Sequence, residues 1–248
     1  MKLTSLLAAS IVAVITTACN SEPEPNTLTR KEAKEGFVLL FDGSGTEGWR
    51  GYNKDHFPAR WIIDEGTLHC QSSGRGEAGG LDGGDILYDR KFSNFHLKLE
   101  WKIAEGGNSG IFYLGREDTA FHAIHWTAPE MQVLDNAKHP DAKLGKDGNR
   151  QAGALYDLIP ADPQNFAGAG EWNQVEIIHM DGHVIHRQNG EQVLEYQIGS
   201  ERWKELVAES KFPAINPDFA DVPGEGYIAL QDHGDDVWYR NIKIKELE

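Results

Sequence analysis

PEMQVLDN, Pro129 to Asn136, reads as a β-strand whose two sides meet different surroundings. Side chains alternate along a strand, so Met131 and Val133 point one way and are apolar, while Glu130 and Gln132 point the other. Such alternation marks an antiparallel sheet with one face on a core. An acid beside an amide on the second face suggests a groove lined by groups suited to handling hydroxyls. Asp135 and Asn136 continue the polar patch just beyond the strand.

Outward from this stretch, the chain from Phe37 on is a series of short strands and turns. Asn94 to Ala104 is the longest clean alternation: Phe95, Leu97, Leu99, Trp101 and Ile103 share one side, and His96, Lys98, Glu100 and Lys102 the other. Further strands are expected at Phe37–Phe41, Trp61–Asp64, Thr67–Gln71, Ser109–Leu114, Ala154–Leu158, Gln174–Met180, Val184–Gln188, Gln192–Tyr196, Gly226–Gln231 and Asp236–Ile244. Glu65-Gly66, Asp181-Gly182 and Asn189-Gly190 are tight-turn signals between them. One helix is expected after Ser200, which can cap it, with Trp203, Leu206 and Val207 striping one side. Many strands and one short helix predict an all-β fold, a two-sheet antiparallel β-sandwich of jelly-roll type.

The 248 residues, 40% hydrophobic with 27 glycines, suit one turn-rich domain. A formal net charge of −15 argues against nucleic acid and anionic membrane surfaces as partners. The N-terminus reads as a processing signal: Lys2, then an apolar run from Leu6 to Ile15 that is too short to span a bilayer. Small residues then lead into Cys19, as at a bacterial lipoprotein cleavage site where the cysteine is lipidated. This predicts a signal peptide over 1–18, a flexible tether over 19–35 and the folded domain over 36–248, held at the bacterial cell envelope. Cys70 is the one other cysteine, so a disulfide framework or cysteine metal site is excluded and Cys70 reads as a buried small hydrophobe.

Polar groups stand where a core-only strand would not put them at Glu130 and Gln132, at Leu230-Gln231-Asp232-His233-Gly234, and at His186 beside a hairpin turn. Arg240 shares an apparent face with Trp238, Ile242 and Ile244, so it needs a carboxylate or a ligand oxygen. Ten histidines raise the question of a metal. The pairs His122/His125 and His183/His186 lack helical surroundings, so no cofactor is established by spacing, and a divalent cation held from different strands remains open. Nucleotide loops and a serine-hydrolase elbow are absent.

Taken in order, GGDILYDRKFSNFHLKLEWKIAEGGNSGIFY (Gly83 to Tyr113), EMQVLDN (Glu130 to Asn136), AGALYDL (Ala152 to Leu158), EWN (Glu171 to Asn173), HRQNG (His186 to Gly190) and LQDHGDDVWYRNIKI (Leu230 to Ile244) resemble the 3-keto-disaccharide hydrolase family. The resemblance implies a concanavalin A-like fold with a ligand groove, and action on glycosides already oxidised to a ketone at C3. The ketone acidifies the C2 proton, so a base can remove it, the enolate can expel the C1 substituent, and water can add back. The expected proton-transfer residues are Glu130, His233 and His186. Asn108, Gln132, Asp135, Tyr156, Lys211, Gln231 and Arg240 are expected sugar or enolate contacts. The family's hairpin usually has an aromatic where Arg187 stands, and Trp126 is the candidate replacement ring. The Glu-x-Asp-x-x-Glu strand of retaining β-glucanases is missing, which argues against two-carboxylate chemistry. A non-catalytic carbohydrate-binding lipoprotein is the alternative.

Overall fold

The structure, a computed structural model, describes residues 24–73 and 82–248; the expected signal peptide and Cys19 lie outside them. Its strands in chain order are β1 (Val38–Leu39), β2 (Trp49–Gly51), β3 (Trp61–Asp64), β4 (Thr67–Cys70), β5 (Ile86–Phe92), β6 (Phe95–Ile103), β7 (Asn108–Gly115), β8 (Glu130–Leu134), β9 (Asn173–Met180), β10 (His183–Gln188), β11 (Glu191–Gln197), β12 (Gly226–Leu230) and β13 (Val237–Glu246). The helices are α1 (Arg30–Glu35) and α2 (Glu201–Glu209). Among the described residues no helix is long and apolar enough to cross a membrane.

The alternation in β6 organises the larger sheet. Phe95, Leu97, Leu99, Trp101 and Ile103 are buried, and the charged residues between them are half-exposed. The strands run β11-β10-β9-β6-β13-β4-β3, with β1 also on β13. The smaller sheet runs β2-β5-β12-β7-β8. Every pair is antiparallel, and the chain passes repeatedly from one sheet to the other, as a jelly-roll sandwich requires. Leu97, Trp101 and Ile177 from one sheet meet Ile111, Met131, Val133 and Ile228 from the other in a single core. Cys70 is buried in it, as expected.

At the β9–β10 and β10–β11 turns, Asp181-Gly182 (φ 49° and 83°) and Asn189-Gly190 (φ 49° and 85°) have positive φ at both central residues. That is the type I′ geometry whose twist matches the flanking strands. Ser200 Oγ accepts the Trp203 N–H at 3.1 Å and starts α2, which buries Trp203 and Val207.

Three expectations change. Ala154–Leu158 is a turn with isolated bridges rather than a strand: Leu155 O accepts from both Leu158 N and Ile159 N, and Asp157 has φ 61°. The tether is structured from Asn26 onward. Asn26 and Asn241 exchange side chain-to-backbone hydrogen bonds, α1 starts with a capping box from Thr29, and Glu32 is paired with Lys243 at 2.9 Å. In β13 a bulge at Asn241, φ 54°, shifts the alternation. Val237, Tyr239, Ile242 and Ile244 therefore face the core, while Trp238 and Arg240 face outward.

Candidate active site

The side of the five-stranded sheet turned away from the core is only partly apolar. Toward one end Leu87, Phe112 and Ala229 pack under Ile124 and Ala128 of the loop that follows β7. Toward the other end the register places Phe112 opposite Glu130, Gly110 opposite Gln132 and Asn108 opposite Leu134. Gln231 continues β12 beside them, its N–H donating to Gly110 O at 3.0 Å. Glu130, Asn108 and Gln231 thus share one surface, and each is 5% exposed. A Cβ at Gly110 would collide with Glu130 Oε1, so the glycine makes room for that carboxylate.

One wall comes from the 141–157 loop and the segment after α2. Lys211 Nζ donates to Tyr156 Oη at 3.0 Å, and Tyr156 in turn donates to Asp141 Oδ2 at 2.7 Å. Arg150 braces this wall by pairing with both Asp141 (2.9 Å) and Asp157 (2.6 Å). The ammonium of Lys211 sits 4.4 Å from the Tyr156 ring centre and 5.8 Å from that of Trp126. Burial, then the Glu130 charge, pushes the Tyr156 phenol far up, so it stays protonated. Burial pulls Asp141 upward, but the Tyr156 hydrogen bond and Arg150 outweigh it and hold the carboxyl below its usual range.

The other wall is the loop after β12. Asp232 accepts from Gly234 N (2.9 Å) and Gly84 N (2.7 Å), and its own N–H donates to Asp85 Oδ1 at 3.1 Å. Asp85 Oδ2 accepts the Ile124 N–H at 3.2 Å, tying this loop to the turn that carries His125 and Trp126. His233 Nδ1 lies 3.7 Å from Asp235 Oδ2, and its ring centre is 5.8 Å from that of His139. Burial first, then the charges of Lys211, His122 and His233, lowers His125 to about 3, so it is a neutral imidazole.

Four buried side-chain atoms around this surface have no hydrogen-bond partner among the described residues: Asn108 Oδ1, Gln231 Oε1, His125 Nδ1 and Trp126 Nε1. Unpaired buried polar atoms are costly in a folded protein. Two acceptors, an imidazole nitrogen and an indole donor match the mixed hydrogen-bonding needs of a polyol. A cleft of about 470 Å³ on the opposite sheet is less suited to a ligand, since Arg240, Glu100, Lys243 and Glu32 along it are already paired.

Glu130, Asn108, Gln231, Tyr156, Lys211, Trp126 and His233 line or border the surface. Gln132 and Asp135, expected sugar contacts, serve its frame instead. Gln132 Oε1 accepts the Val133 N–H at 3.1 Å, and the Asp135 carboxylate accepts from Gly106 N (2.7 Å) and Ala137 N (3.0 Å). His186 is fully buried between the sheets, where its Nε2 accepts from the Tyr113 hydroxyl at 2.8 Å and its Nδ1–H donates to Gly153 O at 3.3 Å. It cannot reach a substrate, and the proton-transfer role expected of it is withdrawn. Arg240 pairs with Glu100 at 2.7 Å and stacks 3.9 Å from the Trp172 ring centre on the far sheet, so its role is structural. His125, His139, Asp141 and Asp235 were not anticipated. They sit on loops, where no periodicity marks them, and the His122/His125 spacing was the single signal.

The model of the 3-keto-alpha-glucoside-1,2-lyase-like domain matches residues 36–245. A Bacteroides thetaiotaomicron protein named 3-keto-disaccharide hydrolase is 46% identical over 97% of this chain and 89% of its own length. A Parabacteroides distasonis crystal structure, assigned provisionally as a glycosyl hydrolase, is 31% identical with a TM-score of 0.80, covering 91% of this chain and all of that one. A second from the same species is 26% identical with a TM-score of 0.66, over 85% of this chain and 99% of that one.

Proposed function

The chain belongs to the 3-keto-alpha-glucoside-1,2-lyase-like family and is a hydrolase-type enzyme; from that premise we propose that it cleaves 3-keto-glucosides and 3-keto-disaccharides by elimination and hydration. The supporting observation is a surface that carries Glu130 close enough for its charge to act on Tyr156, which Lys211 bonds, with unpaired polar atoms at its border. Glu130 takes the C2 proton, and the electron pair left behind delocalises into the C3 carbonyl. The enolate then expels the C1 oxygen, which leaves with a proton drawn from the Lys211–Tyr156 pair. Water adds at C1 and a proton returns to C2, so the net change is hydrolysis. Such chemistry needs a base near C2 and a proton donor at the C1 oxygen. His125, neutral and unpaired at Nδ1, serves as a hydrogen-bond partner for the sugar.

The reading extends to place. The apolar run ending before Cys19 supports lipidation there and attachment at the bacterial cell envelope, with carbohydrate as the partner. The test of activity is incubation of the purified protein with a 3-keto-glucoside and with its parent glucoside, followed by product analysis. Cleavage of the first and not the second is expected. Inertness toward both would leave a carbohydrate-binding protein.

A further inference from the structure

We propose that His139, His233 and Asp235 bind a first-row divalent cation at the edge of the sugar surface, where the cation holds the C3 keto oxygen and the neighbouring C2 hydroxyl of the substrate. The role toward substrate rests on the 3-keto-glycoside reading; the cation site stands on geometry. Among the described residues, this is the group of ligating side chains that converges. One ligand atom from each residue lies within 4.8 Å of the other two. His139 follows β8, whereas His233 and Asp235 follow β12, so the site exists only once the sheet has formed and no sequence spacing announces it.

The donor set is chemically specific. Two imidazoles and one carboxylate suit zinc, manganese, iron or cobalt, and leave coordination positions open for a substrate. The backbone that carries one ligand is held in place before any ion arrives. The His139 backbone N–H donates to Asp135 O at 3.0 Å, and the Asp135 carboxylate is itself fixed by two backbone donors. Asp235 Oδ2 accepts the Asn108 N–H at 3.0 Å, an outer contact of the kind that orients a ligating carboxylate. The His139 and His233 rings meet edge-on at 81°, which brings their nitrogens together without stacking. The Asp141 N–H contact to His139 Nδ1, at 3.2 Å, is long, and ligation through that nitrogen would displace it. Two residues with buried, unpaired acceptors adjoin this group: Gln231, two positions before His233, and Asn108, whose backbone N–H meets Asp235.

The position explains a preference for oxidised sugars. Loss of the C2 proton places charge on the C3 oxygen, beside the C2 hydroxyl, and these two oxygens form a five-membered chelate with a cation. A dication bound by one carboxylate retains a single positive charge, which the enolate neutralises. A parent glucoside has no carbonyl to develop that charge.

Cobalt(II) titration of the chelator-stripped, purified protein tests this apart from turnover. The wild type is expected to take up one equivalent with ligand-field absorption, and 3-keto-glucose, but not glucose, should shift those bands. His139→Ala and Asp235→Asn, checked for fold by circular dichroism, should each weaken cobalt binding by at least about a hundredfold, the upper end of what loss of an outer contact costs. If Asp235→Asn does not fold, His139→Gln takes its place. Failure of the wild type to bind cobalt or manganese stoichiometrically, wild-type binding in both variants, or bands unmoved by 3-keto-glucose would overturn the proposal. Full hydrolysis by the stripped protein would overturn it too, while leaving the activity reading intact. Cobalt uptake as described, in a protein inert to 3-keto-glucosides, would support the cation site and remove that reading.

Discussion

The Glu130 carboxylate fills the space that a side chain at position 110 would need, so Gly110 and Glu130 form one unit across β7 and β8. Gly110 does not have a positive φ, so alanine fits its backbone. The methyl group would instead push the flexible end of Glu130 aside. Gly110→Ala is therefore expected to lower kcat by about a hundredfold, the usual consequence of an ångström-scale misplacement, with the thermal midpoint nearly unchanged. Wild-type kcat in this variant would show that the carboxylate position does not matter.

Glu130→Gln keeps the shape and removes the proposed base. Turnover should fall by at least about a hundredfold, while affinity for 3-keto-glucose stays within about tenfold. A sharper readout is exchange of the C2 proton of 3-keto-glucose in heavy water. The wild type should catalyse it and the variant should not. Undiminished exchange would move the base elsewhere.

Lys211→Met retains the stem against Trp126 and Tyr156 but removes the ammonium that donates to Tyr156 Oη. If the pair protonates the departing oxygen, the defect depends on the aglycone. About a hundredfold is expected with an alkyl leaving group, and under about tenfold with a nitrophenyl group, which leaves without help. Equal losses with both would count against a donor role.

His186 makes a prediction about stability rather than catalysis. Burial lowers it to about 4, against an ordinary value of 6.5, so the folded protein resists its protonation. A depressed imidazole contributes stability that is fully present above 6.5 and is lost as pH falls toward 4, in total about 3 kcal/mol. His186→Gln should be less stable than wild type at neutral pH yet show a flatter decline across that window in denaturant titrations. Parallel slopes would remove His186 as the titrating group.

The sandwich was readable because its signals are local. The β6 alternation, the two-residue turns and the Ser200 cap depend on near neighbours in sequence. The bulge at Asn241 was not readable, since an asparagine in a strand does not announce that Asn26 will pair with it from the other end of the chain. Glu130 could be placed because one strand's alternation fixes its side. The same rule, applied to Val184, His186 and Gln188, puts His186 with the core-facing set, a reading that its nearness to the turn obscured. The walls are loops joined by long-range contacts such as Asp85 to Ile124 and Asp232, and nothing in a single stretch of chain encodes those meetings.

The Asn26–Asn241 clasp and the Glu32–Lys243 pair fasten the beginning of the described chain to the larger sheet, away from the candidate site on the smaller one. Whatever precedes residue 24 therefore sets out from the back of the molecule. Coupling the protein to a bead, a tag or a lipid by that end leaves the candidate site open, so the enzyme can be immobilised there without screening the proposed entrance.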